Sequence, residues 1–472
     1  MSLAILCLPD EIVEEIFKIF VYNRYEENQF STVRPMKSHV ELIYRRIHSL
    51  LAVCTTWRNV AISCKALWYI IPVVDPDVGK PRILSTGLSL QRAGNKNLNL
   101  TILNPSDYRQ RLKSLMPRFS QFYSINISCN SHSLYRMEEL FCMLAQDGSS
   151  KSLSKFSLKL QRGDHRYHGR SKGSSPLYPS LVQIFRSLRS IHLSYVRAIW
   201  KNVSFSALLT ELWVEDSFVT DAYIRKFFLV LNTAPELREF TVVGMVNHTI
   251  TSVPVVVSLP KLKSLCLEGI SLNLLKLFFN TLSPGSCRLT VNLVYILFGL
   301  PLDTFSEYKS NLLLFRQRSI HKLIVVKDQD WPSNEELADL LQSALALKIL
   351  VLSGVTITHD LLQVFTPPSL PTSGQNAATG LPKLETLELH ATSFHPKLKH
   401  FRDGFDNLLA HHPLQRMVLA GTTWLLPILE SLPLEKDDEI VDWLKDRIPQ
   451  FYFSTEPGDM ARHYGVWQLW DV

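Results

Sequence analysis

The 472-residue sequence predicts a short all-helical module followed by an irregular α/β solenoid. Three observations predict this fold class. The first seventy residues carry apolar side chains at the three- and four-residue spacing of amphipathic helices. A short pattern, with apolar residues at positions one, four and six, then recurs through most of the chain. Helical patterns separate many of these copies, so strands and helices should alternate.

The composition is that of a globular chain, with 46% hydrophobic and 20% charged residues. The chain exceeds the roughly 250 to 300 residues that one hydrophobic core serves, which favours several domains or repeats. The longest apolar run, 289–302, is shorter than the roughly 20 residues that cross a membrane. No basic region precedes the apolar residues 3–9, as a secretory signal would require. We therefore expect a cytoplasmic or nuclear protein, or one found in both, without a membrane partner.

The charged and chemically reactive residues give no sign of catalysis. The net charge of +7 is spread along the chain without a long basic block, which argues against dedicated nucleic-acid binding. The seven cysteines form no C-x-x-C pair. The phosphate-binding, zinc-hydrolase and esterase motifs are all missing from the sequence. We expect no metal, no cofactor and no catalytic residue, and an enzyme is the weakest of the hypotheses.

The N-terminal module opens with the segment LPDEIVEEIFKIF. Pro9 suits the first turn of a helix, and the acidic residues after it favour a helix N-terminus. The apolar stripe of this segment is too wide for an isolated surface helix, so it must pack on something. A second helical pattern covers 40–54 after a polar stretch, and a third runs from Trp57 until Pro72 should stop it.

These helices resemble the F-box, and they resemble in particular the mushroom-type fungal members, which have a long first loop. The resemblance rests on Leu8-Pro9, Glu11-Ile12, Cys54-x-x-Trp57-Arg58-x-Val60-Ala61 and Leu67-Trp68. It implies that the start of helix one and the end of helix three bind a Skp-type adaptor, which a cullin then carries. The residues placed in that interface are Leu8, Pro9, Ile12, Ile16 and Trp68. The alternative is an ordinary three-helix subdomain whose aromatic residues fill its own core.

The repeated pattern has nine clear copies and one weak copy. The clear copies start at Leu153, Leu188, Leu209, Leu237, Leu262, Ile320, Leu347, Leu384 and Leu414, and the weak copy starts at Ser286. Extended segments from Leu98 and Phe122 are candidate degenerate copies. Helical stretches between copies start at Asp221, Leu272 and Asn334. One strand and one helix per unit is the leucine-rich-repeat arrangement, with a parallel sheet on the concave face and helices on the convex face. Chance recurrence in a leucine-rich α/β chain is the alternative.

The predicted boundaries are 1–74 for the F-box, 75–97 for a linker, 98–433 for the solenoid and 434–472 for a C-terminal cap. The cap would shield the apolar end of the last repeat. It combines an acidic run, a helix ending near Ile448, and a tail that contains two tryptophans.

The second position of each repeat should face the concave surface, where ligands bind. The candidate target-binding residues are Arg189, Trp213, Arg238, Lys263, His321 and Lys348, with His192 beside Trp213 at the fifth position. A mostly basic ladder would accept an acidic or phosphorylated segment. The alternative is a solvated rim of charged side chains without a binding role, because Glu211 and Glu239 are interspersed among the basic residues. The basic stretch 161–173 is predicted to be only a flexible loop.

Two functional hypotheses remain alongside the enzyme. In the first, the chain is the substrate-recognition subunit of an SCF-type cullin ubiquitin ligase, with helices that bind the adaptor and repeats that bind the target. In the second, it is a leucine-rich-repeat scaffold that binds the adaptor without directing ubiquitination. The two differ in whether cullin joins the complex.

Overall fold

The protein is described by a computed structural model, over the following parts of the chain: residues 8–22, 36–74, 86–94, 97–103, 115–130, 137–146, 152–160, 179–196, 200, 203–215, 219–245, 255–282, 287–294, 315–316, 318–327, 333–366, 380–395, 401–425 and 431–455. Within these residues the dominant feature is one 14-stranded parallel sheet. Its strands lie side by side in the order in which the chain visits them. This sequential α/β arrangement is solenoid-like, as the recurring pattern predicts.

The strands of the main sheet are Ile70–Val74 (β1), Leu98–Leu103 (β2), Phe122–Cys129 (β3), Lys155–Leu160 (β4), Ser190–Ser194 (β5), Glu211–Glu215 (β6), Glu239–Val243 (β7), Ser264–Glu268 (β8), Arg288–Val294 (β9), Ile320–Val326 (β10), Ile349–Ser353 (β11), Thr386–His390 (β13), Arg416–Ala420 (β15) and Gln450–Ser454 (β18). A second, four-stranded sheet contains Thr356–Ile357 (β12), Ser393–Phe394 (β14), Thr423–Leu425 (β16) and Ser431–Pro433 (β17). Every predicted copy of the pattern, including the weak and degenerate ones, contributes a strand of the main sheet.

The described α-helices are Asp10–Tyr22 (α1), Met36–Val53 (α2), Thr55–Ser63 (α3), Thr86–Arg92 (α4), Glu138–Gln146 (α5), Pro179–Phe185 (α6), Asp221–Leu231 (α7), Leu272–Thr281 (α8), Asn334–Ser343 (α9), His359–Gln363 (α10), Phe401–His411 (α11) and Glu439–Arg447 (α12). The three helices predicted between repeats are confirmed as α7, α8 and α9. A capping box closes the start of α9, where Ser333 and Glu336 each bond the other's backbone amide.

The core lies between the helices and the face of the sheet that carries the repeat leucines. The ring of Phe240 on β7 lies 6.0 Å from that of Phe227 on α7 and 6.2 Å from that of Phe278 on α8. Phe228 of α7 lies 5.0 Å from Phe278, so the helices also contact one another. Buried residues from the N-terminal helices to the last repeats belong to one cluster. Stacking thus supplies the core that no single repeat has.

A left-handed residue follows several of the strands and ends each in the same way. Gly354 after β11 has φ +69° and donates its amide to the His390 carbonyl at 3.0 Å. Ala391 after β13 occupies the same position with φ 44° and donates to the Ala420 carbonyl at 2.8 Å. Glycine suits this conformation because a side chain crowds the next carbonyl.

The third N-terminal helix ends earlier than the sequence predicts. Helix α3 stops at Ser63, a 3-10 turn covers Lys65–Trp68, and the chain then enters β1. Pro72 lies inside β1 instead of terminating a helix. Strand β1 is at the edge of the described sheet, where proline costs little because one side of the strand needs no hydrogen bonds.

The predicted linker 75–97 is therefore not a simple boundary. Strand β1 pairs in parallel with β2, so the sheet starts within the segment assigned to the helical module. Helix α4 lies within the predicted linker and connects to α2 through Tyr44. The Tyr44 hydroxyl donates to the Ile70 carbonyl at 2.6 Å and lies 2.6 Å from the Ser89 hydroxyl. Burial of Tyr44 joins the N-terminal helices to the sheet.

The C-terminal region combines a predicted helix with a strand that was not predicted. Helix α12 ends at Arg447, next to the expected end near Ile448. Strand β18 then pairs in parallel with β15 and extends the main sheet. Trp467 and Trp470 of the predicted cap lie outside the described residues, as does the basic stretch 161–173.

Candidate functional site

Helix α1 has two apolar faces, and the described residues of the chain cover only one of them. Val13, Phe17 and Val21 are buried, and the ring of Phe17 lies 5.0 Å from that of Trp57. The exposed apolar side chains of the other face, here termed the α1 stripe, are Leu8, Ile12, Ile16, Ile19 and Phe20. Their three- and four-residue spacing places them along one side of the helix. A contiguous exposed apolar surface of this kind marks an interaction site.

The α1 stripe contains most of the adaptor-binding residues predicted from the sequence. Ile12 and Ile16 are 48% and 43% exposed, and Leu8 is 37% exposed. Pro9 is also exposed, and its carbonyl accepts the amides of Ile12 and of Val13 at 3.0 and 3.2 Å, which starts the helix. These four predicted residues therefore lie together.

Trp68 does not share this surface. Its side chain is 2% exposed and its indole Nε1 donates to the Ala61 carbonyl at 2.9 Å. The Arg92 guanidinium lies 4.5 Å from the centre of its ring. The placement of Trp68 in the adaptor interface is therefore corrected: the residue belongs to the junction of α3 and α4. The sequence motif gives the order of the tryptophans but not the face that each occupies.

The second site follows the edge at which the parallel strands begin. Here residues at the start of successive strands are linked by backbone hydrogen bonds, in which the amide of one residue donates to a carbonyl of the previous repeat. The residues linked in this way, here termed the rim row, are Arg189, Thr210, Arg238, Lys263 and Arg288, and then His321, Lys348, Glu385, Gln415 and Gln450. The N···O distances range from 2.7 to 3.0 Å. The second-position residues singled out from the sequence lie in this row, which also includes Arg288 and Gln450 from the third position of their repeats.

The rim row is positively charged in its middle. Arg189, Arg238, Lys263 and Arg288 are exposed, and their side chains form no ion pair with another described residue. Further along, Lys348 is paired with Glu385, with Nζ 2.8 Å from Oε1. The predicted basic ladder therefore consists of free cations at its centre and a neutralised pair beyond it.

His321 lies between these two parts of the row and is half-buried. Burial lowers the pKa of its imidazole, and the charge of Arg288 lowers it further. Glu385 acts in the opposite direction, and Lys348 lowers the pKa again. The net effect is a neutral imidazole near pH 7, placed in a positive field.

Trp213 lies away from the rim row, next to His192. Their rings are 5.3 Å apart, and His192 Nε2 lies 2.6 Å from Glu211 Oε1. Burial acts to raise the pKa of Glu211, but the hydrogen bond and charge of His192 lower it overall. Trp213 is half-buried and presents only part of its ring. Within this group, His192 and Glu211 make the polar contact.

The same face of the sheet carries a buried carboxyl that the sequence did not single out. Glu268, at the end of β8, is 6% exposed and stands in register with Asn292 on β9. Burial raises its pKa to about 8, opposed by the hydrogen bond from Asn292 and reinforced by the charge of Glu215. Its Oε2 has no hydrogen-bond partner among the described residues.

The remaining chemistry of the described residues is sparse. No group of three or more histidine, cysteine or acidic side chains that could hold a metal ion occurs there. None of the helices there is long and apolar enough to cross a membrane. Burial raises the pKa of the Cys129 and Cys266 thiols to about 12, which makes them poor nucleophiles. A cleft of about 460 Å³ lies between α9, α10 and α11, with His359 and Asn407 on its walls.

No model of a known protein family matches the chain. No curated protein matches it either. Solved structures do match, 21 chains in all. One is the crystal structure of a Bacteroides fragilis protein solved as a structural genomics target, 12% identical, with 74% of this chain and 72% of that chain covered and a TM-score of 0.30. Similarity at this level says nothing about function.

Proposed function

We propose that the protein is the substrate-recognition subunit of an SCF-type cullin ubiquitin ligase. The α1 stripe binds the Skp-type adaptor, and the sheet binds the target along the rim row. The observation that carries this proposal is the exposure of the α1 stripe. A soluble helix normally hides its large aliphatic side chains, and this helix leaves a second apolar face open to a partner.

The stripe has the composition of an interface with a few dominant contacts. Complete burial of an isoleucine or leucine side chain contributes about 1.5 to 3 kcal/mol. Ile12 and Ile16 lie at its centre and start about half exposed. Residues at the centre of an interface carry most of its binding energy. We therefore assign the main adaptor contacts to these two residues, with Leu8 and Pro9 at one end.

The chain then acts by proximity and not by chemistry of its own. A target held on the sheet is brought near the subunits that transfer ubiquitin, which replaces a bimolecular encounter by an intramolecular one. The free cations of the rim row favour a target segment that is acidic or phosphorylated, since charge-assisted hydrogen bonds are the stronger class.

The test uses the full chain and a purified Skp-type adaptor in calorimetry. Replacement of both isoleucines, I12D and I16D, should remove about 1.5 to 3 kcal/mol of binding energy, because about half of each side chain is left to bury, which is about 10- to 150-fold in affinity. The matched control is Val53→Asp, because Val53 is 57% exposed at the end of α2 and is not part of the stripe. Circular dichroism should show both variants folded.

Equal adaptor affinity in the double variant and the control would contradict the proposal. Addition of a cullin to the wild-type complex separates the two adaptor-binding hypotheses. Recovery of a ternary complex supports the ligase subunit, whereas an adaptor complex that excludes cullin supports the scaffold.

A further inference from the structure

His321 occupies an irregular position in an otherwise regular sheet. Between β9 and β10, Ile320 pairs with Leu289 and Lys322 pairs with Thr290, so His321 is an extra residue on β10. Such bulges redirect a side chain and occur next to functional sites. On its other side β10 is regular, and Lys322 pairs with Ile349 of β11. The irregularity is therefore confined to the strand edge that faces Arg288.

The bulge lies between basic residues of the rim row. Lys263 precedes Arg288 in the row, and the Arg288 amide donates to the Lys263 carbonyl at 2.7 Å. On the other side, the Lys348 amide donates to the His321 carbonyl at 3.0 Å. Arg288 and His321 each adjoin the paired residues Leu289 and Ile320, so Arg288 and Lys348 lie at the starts of the two strands that flank His321.

We propose that the bulge at His321 forms an anion subsite for a phosphate monoester on the target, with Arg288 and Lys348 on either side and the imidazole as a proton-accepting ligand. Arg288 supplies a planar fork suited to two phosphate oxygens. Lys348 can turn from Glu385 to the phosphate at little cost, because an ion pair between two exposed side chains contributes little to stability. His321 completes the site by donating a hydrogen bond once it is protonated.

The subsite should distinguish monoesters from diesters. A phosphate monoester carries about two negative charges at pH 7, whereas a diester carries one and has no further proton to lose. Two basic side chains, Arg288 and Lys348, and an imidazole that can take up a proton therefore favour a phosphorylated side chain over a nucleic-acid backbone. This inference deepens the target-binding half of the proposed function and is independent of adaptor binding.

Proton uptake is the distinctive consequence. In the free protein, burial and the neighbouring cations lower the pKa of His321, so the imidazole is neutral near pH 7.5. A bound dianion adds negative charge beside it and raises that pKa. Charged groups on the strands to either side enter this balance: Arg288 on β9, Lys348 next to the start of β11 and Glu385 next to the start of β13. Affinity should therefore rise as pH falls, by up to about tenfold per pH unit for one linked proton.

The test measures anion binding to the full chain by calorimetry between pH 8 and 6.5, with phenyl phosphate, dimethyl phosphate and sulfate as probes. Sulfate keeps its two charges throughout this range, so any pH dependence of its binding belongs to the protein. We expect sulfate and phenyl phosphate to bind more tightly as pH falls, and dimethyl phosphate to bind at least tenfold more weakly than phenyl phosphate. Titrations in buffers of different ionisation enthalpy should show uptake of up to one proton per sulfate.

Three variants locate the effect. His321→Gln should retain sulfate binding and lose its pH dependence, and Arg288→Gln should weaken binding at every pH. Arg189→Gln is the matched control, because Arg189 is an exposed member of the rim row several strands away. It should change neither the affinity for sulfate nor its pH dependence.

Binding of sulfate that is independent of pH in the wild type, or equal in wild type and Arg288→Gln, would overturn the proposal. Tighter binding of the diester would reject a phosphorylated protein in favour of nucleic acid. The I12D/I16D variant should bind sulfate normally, so loss of adaptor binding and loss of the subsite are distinguishable.

Discussion

Glu268→Gln should stabilise the protein at neutral and alkaline pH, although it changes a single oxygen to an amide nitrogen. Glu268 is 6% exposed and its Oε2 has no hydrogen-bond partner among the described residues. Burial raises its pKa to about 8, with the charge of Glu215 acting in the same direction and Asn292 opposing it. The protonated acid is therefore the form that suits the folded protein, and glutamine resembles that form in shape and charge.

The sign and size of the effect follow from proton linkage. In the unfolded chain, Glu268 loses its proton near its ordinary pKa of 4.5. In the folded protein it keeps that proton until about pH 8. Stability from this group is thus complete below about pH 4.5 and is lost progressively as pH rises to about 8. Between pH 5 and pH 7.5 the wild type should lose on the order of 3 kcal/mol relative to Glu268→Gln.

The assay is urea denaturation of wild type and variant at pH 5 and pH 7.5, followed by tryptophan fluorescence. The two midpoints should be close at pH 5, and the variant should unfold at clearly higher urea at pH 7.5. Glu239→Gln is the control, because Glu239 is exposed on the adjacent strand β7 and its replacement should leave the profile unchanged. If Glu268→Gln and wild type lose stability in parallel over this range, the carboxyl is not held protonated and the reasoning is refuted.

Two further substitutions test how the repeats end and how the helices are attached. Gly354→Ala should destabilise by about 1 to 2 kcal/mol, because an L-residue is strained at that left-handed turn, and the added Cβ would lie 3.3 Å from the Lys327 carbonyl oxygen. Gly87→Ala in α4, where the Cβ meets no atom within 4 Å, should instead stabilise slightly, and thermal unfolding compares the two. Tyr44→Phe should cost about 1 to 3 kcal/mol in urea denaturation because the Ile70 carbonyl loses its buried donor; a variant as stable as wild type would show that α2 is not held to the sheet by this bond.

The regular part of the fold could be predicted from the sequence because every repeat buries apolar residues at the same spacing. Apolar residues at positions one, four and six predict a strand wherever leucine fills them, as in Leu347 to Leu352. The last strand, β18, has the same spacing with Ile448, Phe451 and Phe453. It was not predicted, because aromatic residues replace leucine at two of the three positions. The repeat register also predicts most of the rim row, because a parallel ladder places successive second positions side by side. Arg288 and Gln450 join the row from the third position and were not predicted.

The parts of the site that the sequence did not reveal depend on local geometry. The burial of Trp68 follows from a 3-10 turn that replaces the end of a helix, and residue spacing contains no sign of that turn. The bulge at His321 depends on a mismatch in register between two strands, which neither strand's own sequence displays. The pKa of Glu268 depends on its burial, on Asn292 of the adjacent strand and on Glu215 two strands away. Contacts across repeats, more than the residues of any one repeat, decide the chemistry of this face.

The continuity of the sheet has a consequence for how a ligase subunit of this kind would work. Strand β1 belongs to the same sheet as β10, and Tyr44 joins the N-terminal helices to β1. The bulge at His321 lies nine strand spacings from β1, which is about 43 Å along the sheet at about 4.8 Å per strand. Since the described sheet has no break between these strands, a target bound at His321 would stand at a fixed distance from the adaptor. Insertion of one further repeat before β10 should then preserve binding to both partners and shift the ubiquitinated position on the target, whereas an unchanged position would indicate that the target, and not the sheet, sets the geometry.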